Sequence, residues 1–241
     1  MSPNWITATL VTVSLVAAPS LSVAQNAPPQ PAPPPAGQAE AAPPPAYKPP
    51  LRGAPGGRVG GATRGTVKPV SPLPTIDLLA PDEHTGLTTS ATPTLYFYVS
   101  RRLSFSTRLT ISAPRQPVPV IETNIPSPPA AGIYAVRLSD HRVRLEPGIV
   151  YTWSISVILN PDTPSRDIVA SASLLRVPSD PTFDTAARAA PSPRRAALLA
   201  DAGLWYDAVA AAADLNQHTA LDALMTEVGL NRDVAASVKS N

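Results

Sequence analysis

In a chain of 241 residues, 32 prolines and 12 glycines concentrate toward the first third, which leaves roughly 165 residues for one sandwich of ordinary size and a small helical unit. The absence of cysteine excludes a disulfide, a thiolate nucleophile, a cysteine-held metal or cluster and a lipidated cysteine. The net charge of +2 is unevenly placed: residues 25–75 set Lys48, Arg52, Arg58, Arg64 and Lys68 against Glu40, a net of +4, so residues 76–241 carry −2 and the basic character belongs to the leader.

Residues 6–18 (ITATLVTVSLVAA) form an apolar run of thirteen, and Ser22-Val23-Ala24 places small residues where a signal peptidase reads them. This predicts a signal peptide over residues 1–24 with cleavage after Ala24, although residues 1–5 contain no Lys or Arg. A membrane span needs about 20 apolar residues. The mature chain is therefore expected to have no transmembrane span and to be exported, to the periplasm or the exterior. Residues 25–75 read as a disordered Pro/Gly/Arg-rich linker, because proline runs favour extended polyproline II and the Gly/Arg part has nothing apolar to bury. The sharper alternative is a basic arm docking on an anionic surface. The arm lacks the interleaved aromatics of nucleic-acid-binding segments, so no nucleic acid partner is expected.

Residues 76–178 carry the strand signals. TLYFYVS, residues 94–100, is rich in β-branched and aromatic residues, and Pro93 fixes its start. Further strands are predicted over residues 107–113, 118–123, 133–138, 150–159 and 167–177, with a short edge strand at 76–79 before Pro81. The turn formers between them are Ala113-Pro114, the cluster over residues 126–129, Glu146-Pro147-Gly148 and Asn160-Pro161-Asp162. Short strands at this spacing predict a mainly β domain, an antiparallel sandwich. Tyr151, Trp153, Ile155 and Val157 alternate with Thr152, Ser154, Ser156 and Ile158, so the first set is expected to face the core. LEPGIVYTW, residues 145–153, resembles the tyrosine corner of immunoglobulin-like sandwiches, with Tyr151 as the corner residue. The functional alternative, a sugar-stacking platform of Tyr151 and Trp153, fits a strand this apolar less well than core packing does.

From Ser192 the period becomes helical, and a C-terminal helical region is expected over residues 190–237. Pro193 suits a first helical position, and helices are predicted over residues 193–202, 204–215 and 219–228, with Gly203 dividing the first two. Gly203, Tyr206 and Ala208 are spaced as in a tetratricopeptide-like hairpin. A single such unit needs the sandwich or a partner to cover it. Trp205 and Tyr206 are the candidate partner-binding residues, with core packing as the alternative role of Trp205.

The blocks GLTTSATPTLYFYV, LEPGIVYTW and RAALLADAGLWYDAVAAAADL resemble, in order and spacing, the bacterial family of exported proteins catalogued as domain of unknown function 928, over roughly residues 75–230. The matching positions include Leu79, Pro81, Gly86-Leu87-Thr88, Ser90, Pro93-Thr94, Phe97 and Tyr98. Later ones are Leu145, Gly148, Tyr151, Trp153, Arg176-Val177, Arg195, Leu198, Ala200, Gly203, Trp205-Tyr206-Asp207 and Ala208. The resemblance implies an architecture and an exported location; it transfers no catalytic residue. The extra prolines and residues 126–129 depart from the family pattern.

Chemistry-bearing candidates are few. Asp82, Glu83 and His84 place two carboxylates and an imidazole on one loop, a pattern that suits a metal or an acid/base cluster and equally a polar turn before a strand. Asp140-His141 has no nucleophile motif beside it, and His218 reads as a surface residue near a helix start. The glycines of residues 53–65 follow no strand and precede no helix, so no phosphate loop is present. No cofactor is expected. The chain reads as a non-enzymatic envelope protein binding a protein or polysaccharide, with an exported hydrolase or metal-dependent enzyme using Asp82, Glu83 and His84 as the alternative.

Overall fold

The structure, a computed structural model, describes residues 44–50, Val59, residues 73–213 and residues 218–227. The expected signal peptide lies outside them. Eight strands come first: β1 (Ile76–Leu78), β2 (Gly86–Thr88), β3 (Thr94–Val99), β4 (Ser106–Ser112), β5 (Ile121–Ile125), β6 (Gly132–Arg137), β7 (Val150–Ile158) and β8 (Ile168–Arg176). Four helices follow: α1 (Pro181–Ala189), α2 (Ser192–Asp201), α3 (Trp205–Ala213) and α4 (His218–Glu227). The protein is mainly β, and no helix among the described residues is long and apolar enough to cross a membrane.

The strands form a three-stranded sheet, β1-β3-β6, and a five-stranded sheet, β2-β8-β7-β4-β5. In β7 the predicted alternation holds: Tyr151, Trp153, Ile155 and Val157 are buried, and the residues between them are exposed or half-buried. They join Leu109 and Ile111 of β4, Ala170, Ala172 and Leu174 of β8, and Leu95 and Phe97 of β3 in one core. The Tyr151 hydroxyl accepts from the backbone N–H of Glu146 at 3.0 Å, which ties the start of β7 to the turn before it. With both residues buried, Tyr151 and Trp153 form no exposed platform.

Three sequence expectations are corrected. The sandwich is not wholly antiparallel, because the short strand β2 pairs parallel with β8, Gly86 opposite Leu174 and Thr88 opposite Arg176. The chain leaves the smaller sheet after β1 at Ala80-Pro81, where proline has no N–H for a ladder, and reaches the larger sheet running alongside β8. The strand expected from residue 118 begins at Ile121, since Pro117 and Pro119 remove donors on both sides of Val118. Residues 126–129 turn no hairpin; they carry the chain from β5 in one sheet to β6 in the other.

The helical region starts at Pro181, earlier than residue 190. The Asp180 carboxylate accepts from the N–H of Thr182 at 2.8 Å, and Pro181 occupies the first turn, so Ser179-Asp180-Pro181 is a helix start that strand-seeking reading passes over. Gly203 does divide α2 from α3, with φ +74. An added Cβ there would lie 3.0 Å from the Lys48 carbonyl oxygen, so glycine is required for the turn and for the close approach.

Candidate functional site

The first turn of α3 fastens the helices to the sandwich. The Trp205 indole N–H donates to the Leu79 carbonyl at 2.9 Å. The Tyr206 hydroxyl accepts from the Trp153 indole N–H at 2.9 Å and donates to the Ser173 carbonyl at 3.0 Å. That ring needs Gly86 opposite it, since a Cβ at position 86 would stand 2.6 Å from Tyr206 Cε2. Burial pushes the Tyr206 hydroxyl well above its ordinary pKa, so it stays protonated and able to donate. Asp207 completes the joint, its carboxylate accepting from Thr88 Oγ1 at 2.6 Å and from the N–H and Oγ1 of Thr89 at 2.8 and 3.1 Å. Burial raises its carboxyl above the usual range, and the threonine bonds hold that rise back.

Trp205 and Tyr206 are thus 0% and 1% exposed. Their polar atoms are bonded within the chain and their rings are buried, Tyr206 against the sandwich and Trp205 in part by the Tyr47 ring of residues 44–50. The sequence signal was present in the run Trp205-Tyr206-Asp207, two large apolar bodies with polar tips followed by an acid, but it marks a joint as readily as an interface.

The concave surface beside this joint is occupied by the leader. Pro45 and Tyr47 are buried while Pro44, Ala46, Lys48 and Pro49 are exposed, so residues 44–50 lie extended and insert alternate side chains. The Tyr47 ring is 7% exposed. It meets Trp205 edge-on with centroids 4.9 Å apart and stacks on His84 at 5.6 Å. Its hydroxyl hydrogen-bonds His84 Nε2 at 2.7 Å. The backbone is read as well: the Tyr47 N–H donates to the Glu227 carboxylate on α4, and the Lys48 N–H donates to the Ala200 carbonyl at 3.1 Å. The Lys48 ammonium pairs with Asp201 at the end of α2. Farther along, Val59 exchanges both backbone hydrogen bonds with Ser171 at the free edge of β8. Within the leader, residues 44–50 seat through Tyr47, the one aromatic of residues 25–75, which supplies apolar area for burial.

Asp82, Glu83 and His84 do come together on one rim of a cleft of about 440 Å³ that Tyr47, Pro49, Thr226 and Glu227 also line. His84 is half-buried and directed at Tyr47. Its imidazole pKa is lowered by burial, with Glu83 opposing. Among the described residues no three His, Asp or Glu side chains are grouped to hold a metal ion. His141 ends the short 3-10 turn Leu138–His141 and does not line this cleft, and His218 opens α4. A second cleft of about 670 Å³ lies against Asp207, lined in part by Thr89, Asp184, Arg188 and Arg195. The residues that sequence reading missed are Tyr47, Lys48, Asp201 and Glu227. Their one legible signal is a tyrosine-lysine pair set between proline runs.

A family model described as Domain of Unknown Function (DUF928) matches residues 59–237, well over half of the sequence, and the chain belongs to that family. No curated protein and no solved structure matches the chain.

Proposed function

We propose that this DUF928 protein is an exported cell-envelope protein acting as a non-enzymatic interaction module: an immunoglobulin-like sandwich with a tetratricopeptide-like tail that holds an extended polypeptide. One observation carries the reading. The surface formed by α2, α4 and the His84 loop receives residues 44–50 through an aromatic socket, two backbone hydrogen bonds and an ion pair, which is how grooves recognise extended proline-containing segments. Backbone recognition of this kind favours a protein partner over a polysaccharide.

The finer fold reading has its own support. β3 and β6 share one sheet while β4, β7 and β8 share the other, as strands B and E oppose C, F and G in immunoglobulin sandwiches, and Tyr151 makes the corner bond. Small buried residues, Ala196, Ala200, Ala208 and Ala212, let α2 and α3 approach closely, as in tetratricopeptide hairpins. Export rests on the predicted signal and leader, and places the module in the periplasm or outside.

The test is capture from isolated cell envelopes with the mature chain from Gln25 as bait, beside a chain carrying Asp201→Arg and Glu227→Arg. Both substitutions reverse charge at the rim of the groove without touching the core. A partner held by the first bait and lost from the second supports the reading. Identical captures by both would remove the groove from the function.

A further inference from the structure

We infer that residues 44–50 are a self-ligand: the groove's partner carries an extended segment with a tyrosine and a lysine between prolines, and the leader's own copy occupies the groove until that partner displaces it. The inference rests on the interaction-module reading and adds to it both the ligand's chemistry and its regulation. Each element of the groove answers one feature of the segment. The Trp205 edge and the His84 face define a slot for one flat ring, and His84 Nε2 meets a hydroxyl at its end, so tyrosine fits where phenylalanine would leave that nitrogen unpaired. Asp201 faces the position after the tyrosine and pairs with the Lys48 ammonium at the exposed rim of the groove, which favours a cation there. The Ala200 carbonyl takes that residue's N–H, so a proline cannot stand there, whereas the two positions that follow are proline and donate nothing. Gly203 leaves room for the backbone to pass.

A ligand tethered in the same chain competes at an effective concentration of about millimolar, so a partner must bind more tightly than that or arrive with a second contact. Among the described residues of the leader beyond residue 50, Val59 bridges to Ser171 at the edge of β8.

The experiment uses the full mature chain and a labelled peptide with the sequence of residues 43–50, PPPAYKPP, followed by fluorescence anisotropy. The Tyr47→Ala chain, with its self-ligand disabled, is expected to bind the peptide at least about ten-fold more tightly than the unaltered chain, since the internal competitor is gone. Lys48→Glu, an exposed change that reverses the ion pair and spares the core, is expected to give a smaller gain in the same direction. Adding Asp201→Arg and Glu227→Arg to the Tyr47→Ala chain should abolish the binding. Equal affinities for the unaltered and Tyr47→Ala chains overturn self-occupancy. No binding by the folded Lys48→Glu and Tyr47→Ala chains overturns the ligand assignment. Neither result decides the envelope capture, which tests the parent reading on its own partner.

Discussion

The indole N–H of Trp153, in the middle of the larger sheet, donates at 2.9 Å to the hydroxyl of Tyr206, 53 residues later in the chain and on the first turn of α3. The same hydroxyl donates onward to the Ser173 carbonyl at 3.0 Å. One oxygen thus satisfies a donor on β7 and an acceptor on β8, both buried. Tyr206→Phe keeps the ring and deletes that oxygen, leaving two orphaned polar groups. It is expected to destabilise the fold by about 2–4 kcal/mol, because each buried group left unpaired costs about 1–3 kcal/mol. A urea denaturation midpoint indistinguishable from that of the unaltered chain would show that solvent reaches this joint.

Gly86 governs the same contact from the other side. An alanine methyl at 86 would overlap the Tyr206 ring at 2.6 Å, and neither β2, paired to β8, nor the doubly bonded hydroxyl leaves the ring an easy escape. Gly86→Ala is expected to cost about 1–3 kcal/mol as an overpacked core position. The combination with Tyr206→Ala should cost clearly less than the two separate losses together, since the alanine at 206 removes the atoms that clash; strict additivity in chemical denaturation would count against the contact.

Trp205→Ala removes a fully buried indole, its bond to the Leu79 carbonyl and the edge on which Tyr47 rests. The expected effect is a stability loss of about 3–5 kcal/mol together with release of residues 44–50. Thermal melting and hydrogen exchange at the Tyr47 and Lys48 amides, both bonded in the seat, read the two losses separately. A chain that melts normally while both amides remain protected would show that Trp205 anchors neither the helices nor the leader.

The strands were legible because their signal is local. The alternation of Tyr151, Trp153, Ile155 and Val157 follows from one buried face, and Gly203 announces its turn by itself. β2 was not legible: three residues, Gly86-Leu87-Thr88, carry too short a period to read, and their strand exists only because β8 offers an edge beside them. α1 was hidden for a related reason, since it carries one buried residue, Ala187, and no apolar stripe of usual width. The binding groove was the least legible part. Tyr47 and Glu227 are 180 residues apart, and nothing in a proline-rich composition says that one tyrosine within it has a socket.

Asp207 gives the helix joint a pH dependence whose sign is set by burial. Its carboxyl is raised above the ordinary aspartate value, so its contribution to stability is complete below about pH 4 and is lost as pH rises through the folded-state value. Asp207→Asn removes the titration and leaves one acceptor oxygen in place of two for the threonine donors. In urea melts from pH 7 down to 4, the stability advantage of the native chain over Asp207→Asn is expected to grow as the pH falls. An advantage that shrank on acidification would mean that the three threonine bonds outweigh desolvation and hold the carboxyl low.

The leader's seat responds to pH with the opposite sign. His84 is favoured in its neutral form by burial beneath Tyr47, against Glu83 on its own loop, while Asp82 and the Glu227 carboxylate of α4 line the same cleft. A histidine whose pKa is lowered in the seated state takes up less proton there than when the leader is released. Seating therefore weakens as pH falls below about 6.5, the free imidazole value, and levels off once the seated ring is also protonated. Protonation in addition puts hydrogens on both ring nitrogens, so the Tyr47 hydroxyl can no longer donate to Nε2 and must accept from it. Hydrogen exchange at the Tyr47 and Lys48 amides, both bonded in the seat, reads this directly. Corrected for the intrinsic rate at each pH, protection at these two positions is expected to fall several-fold between pH 7.5 and 5. His84→Phe should hold it constant over that range. Protection that drops equally in both chains would assign the effect to the Glu227 carboxylate that receives the Tyr47 N–H.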